Sequence, residues 1–203
     1  MNECSLIKNL NSENIVACED VYDFDQRIWV FLELMEGDLS KIIMNTESNY
    51  SEAFCKFSLF SVARGLQTMH YKNVLHRDIK SENILIRKNG DIKIADLGLS
   101  VFLHEQQMFR NSLKGTSNWF SPEIANGVFY SKEVDVWAFG CLAYELATGK
   151  PPFFEHARDD NSLFTAILNK QIKPIDTNKW SPVFADFINC CLEKNPQERS
   201  TID

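Results

Sequence analysis

No apolar run in this 203-residue chain approaches the roughly 20 residues that a membrane-crossing helix needs, so no such helix is expected. Residues 1–15 carry Glu3, Lys8 and Glu13 and show no apolar core of the secretory-leader kind. The six cysteines, at 4, 18, 55, 141, 190 and 191, include no Cys-x-x-Cys pair, which argues against zinc and dithiol redox chemistry. Their neighbours are mostly apolar, so we expect buried, reduced thiols in a cytosolic or nuclear protein, and place the chain in the cytoplasm. Positive charge is scarce: 21 Lys and Arg face 28 Asp and Glu. A net charge of -7 is the wrong sign for a surface that follows nucleic-acid phosphates. Neither nucleic acid nor membrane is therefore an expected partner. Glycine and proline are few and cluster at turns such as Gly149-Lys150-Pro151-Pro152, and no repeat or low-complexity linker is visible. There is also no Gly-x-Gly-x-x-Gly, so these residues hold no glycine loop that cradles nucleotide phosphates.

What is present suits one globular domain with a sizeable core, since 44% of the residues are hydrophobic. Leu6, Ile7 and Leu10 read as one face of a short helix. Two apolar runs, 15–22 and 28–35, flank a turn at Asp23-Phe24-Asp25-Gln26 and predict a hairpin. Residues 38–45 predict a short helix, and 51–71 a long one with Leu59, Val62, Ala63, Leu66 and Met69 on one face. Ser51 with Glu52 marks its start. The runs 83–86 and 92–95 surround the Asn89-Gly90 turn signal. Residues 99–121 are polar and aperiodic and predict a surface loop. From Val134 the pattern is helical again, with further helices over 162–169 and 181–192.

The chemistry is concentrated in His76-Arg77-Asp78-Ile79-Lys80-Ser81-Glu82-Asn83, followed eighteen residues after Asp78 by Asp96-Leu97-Gly98. Phosphoryl transfer asks a protein to position a nucleophile and neutralise developing charge. Asp78 can accept or align a hydroxyl proton, and Lys80 can touch the moving phosphoryl group as a point charge. Asn83 and Asp96 offer oxygen ligands of the kind magnesium takes, and Gly98 permits the turn beside Asp96. Taken singly, His-Arg-Asp reads as a surface ion cluster and Asp-Leu-Gly as ordinary loop chemistry. Their joint order with Gly115-Thr116, Ser121-Pro122-Glu123, Asp135-Val136-Trp137-Ala138-Phe139-Gly140 and Arg199 makes coincidence a poor explanation.

On these motifs the whole chain resembles a eukaryotic protein kinase domain. The resemblance implies an α+β, protein-kinase-like fold: mainly the helical large lobe over residues 35–203, lacking its last helix, with a remnant of the small-lobe sheet over 1–34. Lys80 two after Asp78, with Thr116, is similar to the Ser/Thr-specific subclass, and Thr116 would bridge Asp78 and Lys80. ATP and Mg2+ are the implied cofactors, and proteins with Ser or Thr acceptors the implied substrates. Glu33-Leu34-Met35 resembles the hinge that binds adenine through its backbone, Leu32 the gatekeeper and Leu85 the floor beneath adenine; the ATP-binding set also takes in Lys80, Glu82, Asn83 and Asp96. Asn83 and Asp96 would hold the metal.

Arg77 resembles the arginine of kinases switched on by activation-loop phosphorylation, with Ser112 as the phosphosite and an upstream kinase as a partner. Glu3 aligns with the helix glutamate that pairs with the small-lobe lysine. Asp135 would brace the His76–Asp78 turn, Glu123 and Arg199 would form a buried ion pair, and His76 would pack rather than act as a base. Glu36, Asp38 and Glu82 near the cleft favour basic residues flanking the acceptor. Asn14-Ile15-Val16, Trp29-Val30 and Cys191-Leu192-Glu193-Lys194 resemble the sterile-group kinases, with NimA-related kinases as the alternative. Leu97 stands where the family has Phe, and Ser121 where it has Ala; neither change touches catalytic charge.

Against the resemblance stand the missing glycine loop and the missing Val-Ala-x-Lys strand. They lead to the expectation that the chain is a fragment of a larger kinase, with Met1 internal, and that by itself it has weak or no activity. A two-stranded remnant should leave Val16, Val21, Ile28, Val30 and Leu32 poorly covered. The competing expectation is a pseudokinase-like scaffold that binds partners through its large lobe.

Overall fold

Ser51 starts the longest helix by accepting a hydrogen bond from the Phe54 N–H at 3.3 Å. The helix runs from Glu52 to Tyr71 and buries Cys55, Leu59, Val62, Leu66 and Met69 at helical spacing. The computed structural model describes residues 10–45, 50–103 and 114–202. Glu3, Ser112 and the helix face of Leu6 and Ile7 lie outside them.

In chain order, β1 (Cys18–Phe24) and β2 (Arg27–Leu32) form an antiparallel hairpin. Asp25 and Gln26 both take positive φ at its tip, as a two-residue hairpin turn of the tightly twisted kind requires. β3 (Gly37–Asp38) leads into α1 (Leu39–Met44), whose first turn Asp38 caps through the Lys41 N–H. The long helix 52–71 is α2. β4 (Val74–Leu75) pairs with β7 (Val101–Phe102), and β5 (Ile84–Ile86) sits between β3 and β6 (Ile92–Ile94). α3 (Pro122–Ala125), α4 (Glu133–Thr148), α5 (Asp160–Asn169) and α6 (Pro182–Cys191) complete the order. β7 is a correction to the loop predicted over 99–121: two of its residues pair with β4, the strand that leads into the His76–Asn83 segment.

The core forms around α4, which is buried on nearly every side, with Trp137, Phe139 and Leu142 almost wholly enclosed. Gly65 lets α2 approach β6: a Cβ there would sit 2.7 Å from the Ile94 side chain and 2.8 Å from the Asn14 carbonyl oxygen. At the other end of α2, Glu52 accepts from the Ser181 N–H at 2.8 Å and its hydroxyl at 2.7 Å, joining the starts of α2 and α6. The hairpin differs from this core. All six residues of β2 are exposed, including Ile28, Trp29 and Phe31. Val16 departs from the expectation of poor cover, because its N–H bonds the Ile94 carbonyl at 2.9 Å and its side chain is buried. Cys55, Cys141 and Cys191 are buried, but Cys190 is exposed, contrary to the general expectation for the cysteines.

Candidate active site

Asp135, in the first turn of α4, is wholly buried and holds the His76–Asp78 turn by its backbone. Oδ2 accepts from the His76 N–H at 2.9 Å and Oδ1 from the Arg77 N–H at 2.8 Å. The His70 ring lies 2.9 Å from Oδ2, its Nε2 donating. Burial alone would raise the Asp135 carboxyl, but the His70 contact and the neighbouring donors outweigh it and hold it below the usual range. Arg77 takes φ 69°, a left-handed conformation that is costly for an arginine and that these bonds enforce. His76 is enclosed: Nε2 donates to the Ala95 carbonyl at 3.0 Å and Nδ1 accepts from the Asp78 N–H at 3.2 Å. Burial pushes its ring below the ordinary histidine value, so the ring is neutral and fixed.

This turn presents Asp78 to a four-residue polar cluster. Thr116 Oγ1 donates to Asp78 Oδ1 at 2.8 Å and accepts from Lys80 Nζ at 2.7 Å. Lys80 Nζ is also 2.9 Å from Asp78 Oδ2. Asn83 Nδ2 donates to the Asp78 carbonyl at 2.8 Å and to Oδ2 at 3.0 Å. Burial works to raise the Asp78 carboxyl, yet the Lys80 and Thr116 hydrogen bonds prevail and keep it ionised below the usual range. Gly115 makes the approach of Thr116 possible: it takes φ 115°, and a Cβ there would collide with the Arg77 carbonyl oxygen.

Asn83 and Asp96 flank the open end of the β5–β6 hairpin, where the Ala95 N–H donates to the Asn83 carbonyl at 2.9 Å. With its amide nitrogen turned to Asp78, Asn83 offers its amide oxygen elsewhere. Asp96 is exposed at φ 59°, its Oδ1 accepting from the Gly98 N–H at 3.2 Å. Further from the loop, the Arg199 guanidinium grips Glu123 in a buried two-pronged pair, at 2.6 and 3.0 Å, and packs 5.1 Å from the Trp137 ring.

The protein kinase domain profile matches residues 1–203. The chain belongs to the protein kinase domain family. It is 39% identical over 99% of its length to the serine/threonine-protein kinase pakA of Dictyostelium discoideum, of which it covers 17%. It is 34% identical to the serine/threonine-protein kinase pakA of Talaromyces marneffei and to the serine/threonine-protein kinase STE20 of Kluyveromyces lactis. The match covers 99% of this chain in both cases, but 31% and 20% of those proteins. These relatives side with the sterile-group resemblance over the NimA-related one. The chain spans less than a third of the length of these relatives.

In this kinase domain Leu32 lines a cavity of about 260 Å³ with Ile15, Val16, Ala95 and Asp96. Glu33 is occupied differently from a bare backbone hinge. Its buried carboxylate accepts from Lys93 Nζ at 2.7 Å, from the Ala17 N–H at 2.8 Å and from Arg87. Its own N–H donates to the Ala17 carbonyl at 3.1 Å. Met35 and Leu85 are half-buried, Leu85 opposite Lys93 and Asp38 in the small sheet, and Glu82 is exposed beside Ser81. An apolar cavity of about 510 Å³ lies between α2 and α6 and touches none of these residues.

Two participants were not singled out from the sequence as site residues. His70 ends α2 and reads locally as a polar surface residue; only its partner Asp135, 65 positions on, reveals its place. Glu145 is buried in α4 and accepts from the Ser81 hydroxyl at 2.9 Å, while its second oxygen has no partner among the described residues. Burial, helped by the Glu82 charge, pushes its carboxyl up to about 7.

Proposed function

We propose that this kinase domain transfers the terminal phosphoryl group of ATP to serine or threonine hydroxyls of proteins, with magnesium. The observation that carries this is the Thr116 hydroxyl joining Asp78 and Lys80 in one hydrogen-bonded triangle. It fixes a carboxylate to take the acceptor's proton beside an ammonium that faces the incoming negative charge. The acceptor oxygen bonds to phosphorus, the bond to the ADP oxygen breaks, and the acceptor's proton passes to Asp78. Asn83 and Asp96 suit a magnesium ion that arrives with the phosphates. Magnesium commonly takes one or two protein oxygens and fills the rest of its shell with phosphate oxygens and water, which suits this pair. Magnesium-bound ATP would supply the phosphoryl group and part of the charge neutralisation. Leu32 and the cavity beside Asp96 would receive the base, with Met35 and the Glu33 carbonyl as the hinge.

Residues 1–34 then form part of a small lobe and 35–203 the large lobe. Arg77, half-buried where the loop toward Ser112 departs, is the cation that a phosphate on that loop would meet, which makes activation by an upstream kinase the regulatory reading. The second reading is a scaffold with impaired transfer that binds partners through its large lobe. The two are separated by incubating the protein, as its source cell makes it, with labelled ATP, magnesium and a generic basic protein. Labelled phosphoserine and phosphothreonine are expected. Phosphotyrosine as the main product, or no label, would overturn the enzyme reading.

A further inference from the structure

A second concave surface lies at the far end of the helix that braces the catalytic loop. It is a cavity of about 480 Å³ between the last turn of α4, the turn through Lys150 and His156, and the segment after α5. Thr148 lines it and Asp135 does not; at ~1.5 Å per residue about 20 Å of helix axis separates the two.

The rim is basic and the wall aromatic. Lys150, Lys170 and Lys173 face one acidic side chain, Glu155, in a chain whose net charge is -7. Tyr144, Phe153 and Phe154 form the wall. Lys173 Nζ already holds both Glu155 oxygens, at 3.0 and 2.9 Å. That pair is 73% and 71% exposed, so exchanging Glu155 for another carboxylate costs little. Lys150 Nζ lies 5.0 Å over the Phe154 ring, and Lys170 Nζ is 3.2 Å from His156 Nε2. Phe153 takes φ 61°, a left-handed conformation unusual for a bulky residue. It is held under Lys194, whose Nζ also bonds the Leu168 and Lys170 carbonyls at 3.1 and 2.6 Å. Such strain persists where the surroundings over-determine it, and clusters where ligands are clamped.

We infer that this cavity docks an acidic peptide segment of a protein partner, in which carboxylates flank an aromatic or aliphatic side chain. One carboxylate replaces Glu155 on Lys173, and the others pair with Lys150 and Lys170. The apolar side chain lies against Phe154 and Tyr144. A lone phosphate is the poorer occupant: the cations surround an aromatic wall, and the lining includes no arginine to take a phosphate two-pronged. Glu36 and Glu82, exposed on the segments next to β5, carry the opposite sign. A partner with a basic stretch and a separate acidic stretch would match both. The inference does not rest on phosphoryl transfer.

The test is fluorescence anisotropy of the whole chain with a labelled Glu-Asp-Phe-Glu-Asp peptide, a Lys-Lys-Phe-Lys-Lys control, and inorganic phosphate as competitor. Saturable binding of the acidic peptide alone is expected, weakening as salt rises. Lys150→Glu with Lys170→Glu should weaken it at least tenfold, and Glu155→Gln should tighten it about threefold. If the double variant does not fold, as read by thermal melting, the Glu155→Gln result decides alone. Equal binding by the double variant, equal binding of the two peptides, no tightening in Glu155→Gln, or displacement by millimolar phosphate would overturn the inference.

Discussion

Removing the Asp135 carboxylate should unlock the catalytic loop and destabilise the fold together. Three donors converge on it: the His76 and Arg77 N–H groups and the His70 ring. Hydrogen bonds to a charged group contribute about 1.5–3 kcal/mol each, so Asp135→Ala forfeits roughly 5–9 kcal/mol gross. No longer burying a carboxylate returns several kcal/mol of desolvation, which leaves a net loss of about 3–5 kcal/mol. Asp135→Asn is gentler. Its amide oxygen can still accept from Arg77, but its NH2 then faces the His76 N–H, donor against donor. One buried N–H unpaired and the charge removed cost about 2–3 kcal/mol. A domain is typically stable by only ~5–15 kcal/mol, so both losses are visible in urea unfolding as lower midpoints at unchanged slope. Arg77, at φ 69°, should then relax, and phosphoryl transfer should fall with stability. An Asn variant within about 0.5 kcal/mol of the parent would refute the view that this carboxylate holds the loop.

Three further outcomes follow from other contacts. Arg199→Lys cannot keep two prongs on Glu123, and should lower stability by about 3 kcal/mol in the same unfolding assay. Thr116→Val removes the hydroxyl between Lys80 and Asp78 at nearly constant size; kcat should drop about 10- to 100-fold with little change in KM, while Thr116→Ser keeps most activity. Glu145, raised from 4.5 to about 7 chiefly by burial, prefers its protonated form in the fold. Its contribution is therefore full below about pH 4.5 and lost as pH rises through about 7, a swing of about 3 kcal/mol. Glu145→Gln should flatten that part of the stability–pH curve, and an unchanged curve would show that Glu145 does not titrate there.

The elements with long periods were legible in the sequence. α2 shows its Leu59–Val62–Leu66–Met69 stripe and its Ser51 cap locally, so its limits emerge within a residue. β3, β4 and β7 are two residues each, too short to carry a period. β4 and β7 exist only because Val74 and Phe102, far apart in sequence, pair. The motif residues Asp78, Lys80, Asn83 and Thr116 were legible through the order of the motifs around them and the family resemblance that order carries, and the structure brings them within hydrogen-bond distance. The Glu33 side chain was not. Reading it as hinge backbone ignored a buried carboxylate, whose cations Arg87 and Lys93 sit on the far hairpin and have no local signature. His70 and Glu145 escaped for the same reason: each looks like an ordinary helix position until a partner on another element meets it.

Phosphate transfer by the protein as its source cell makes it, compared with its Asp78→Asn variant, tests the central claim most directly. With magnesium, labelled ATP and a generic basic acceptor, the account predicts labelled phosphoserine and phosphothreonine from the parent and at least a hundredfold less from the variant. Equal labelling by the two proteins would contradict it.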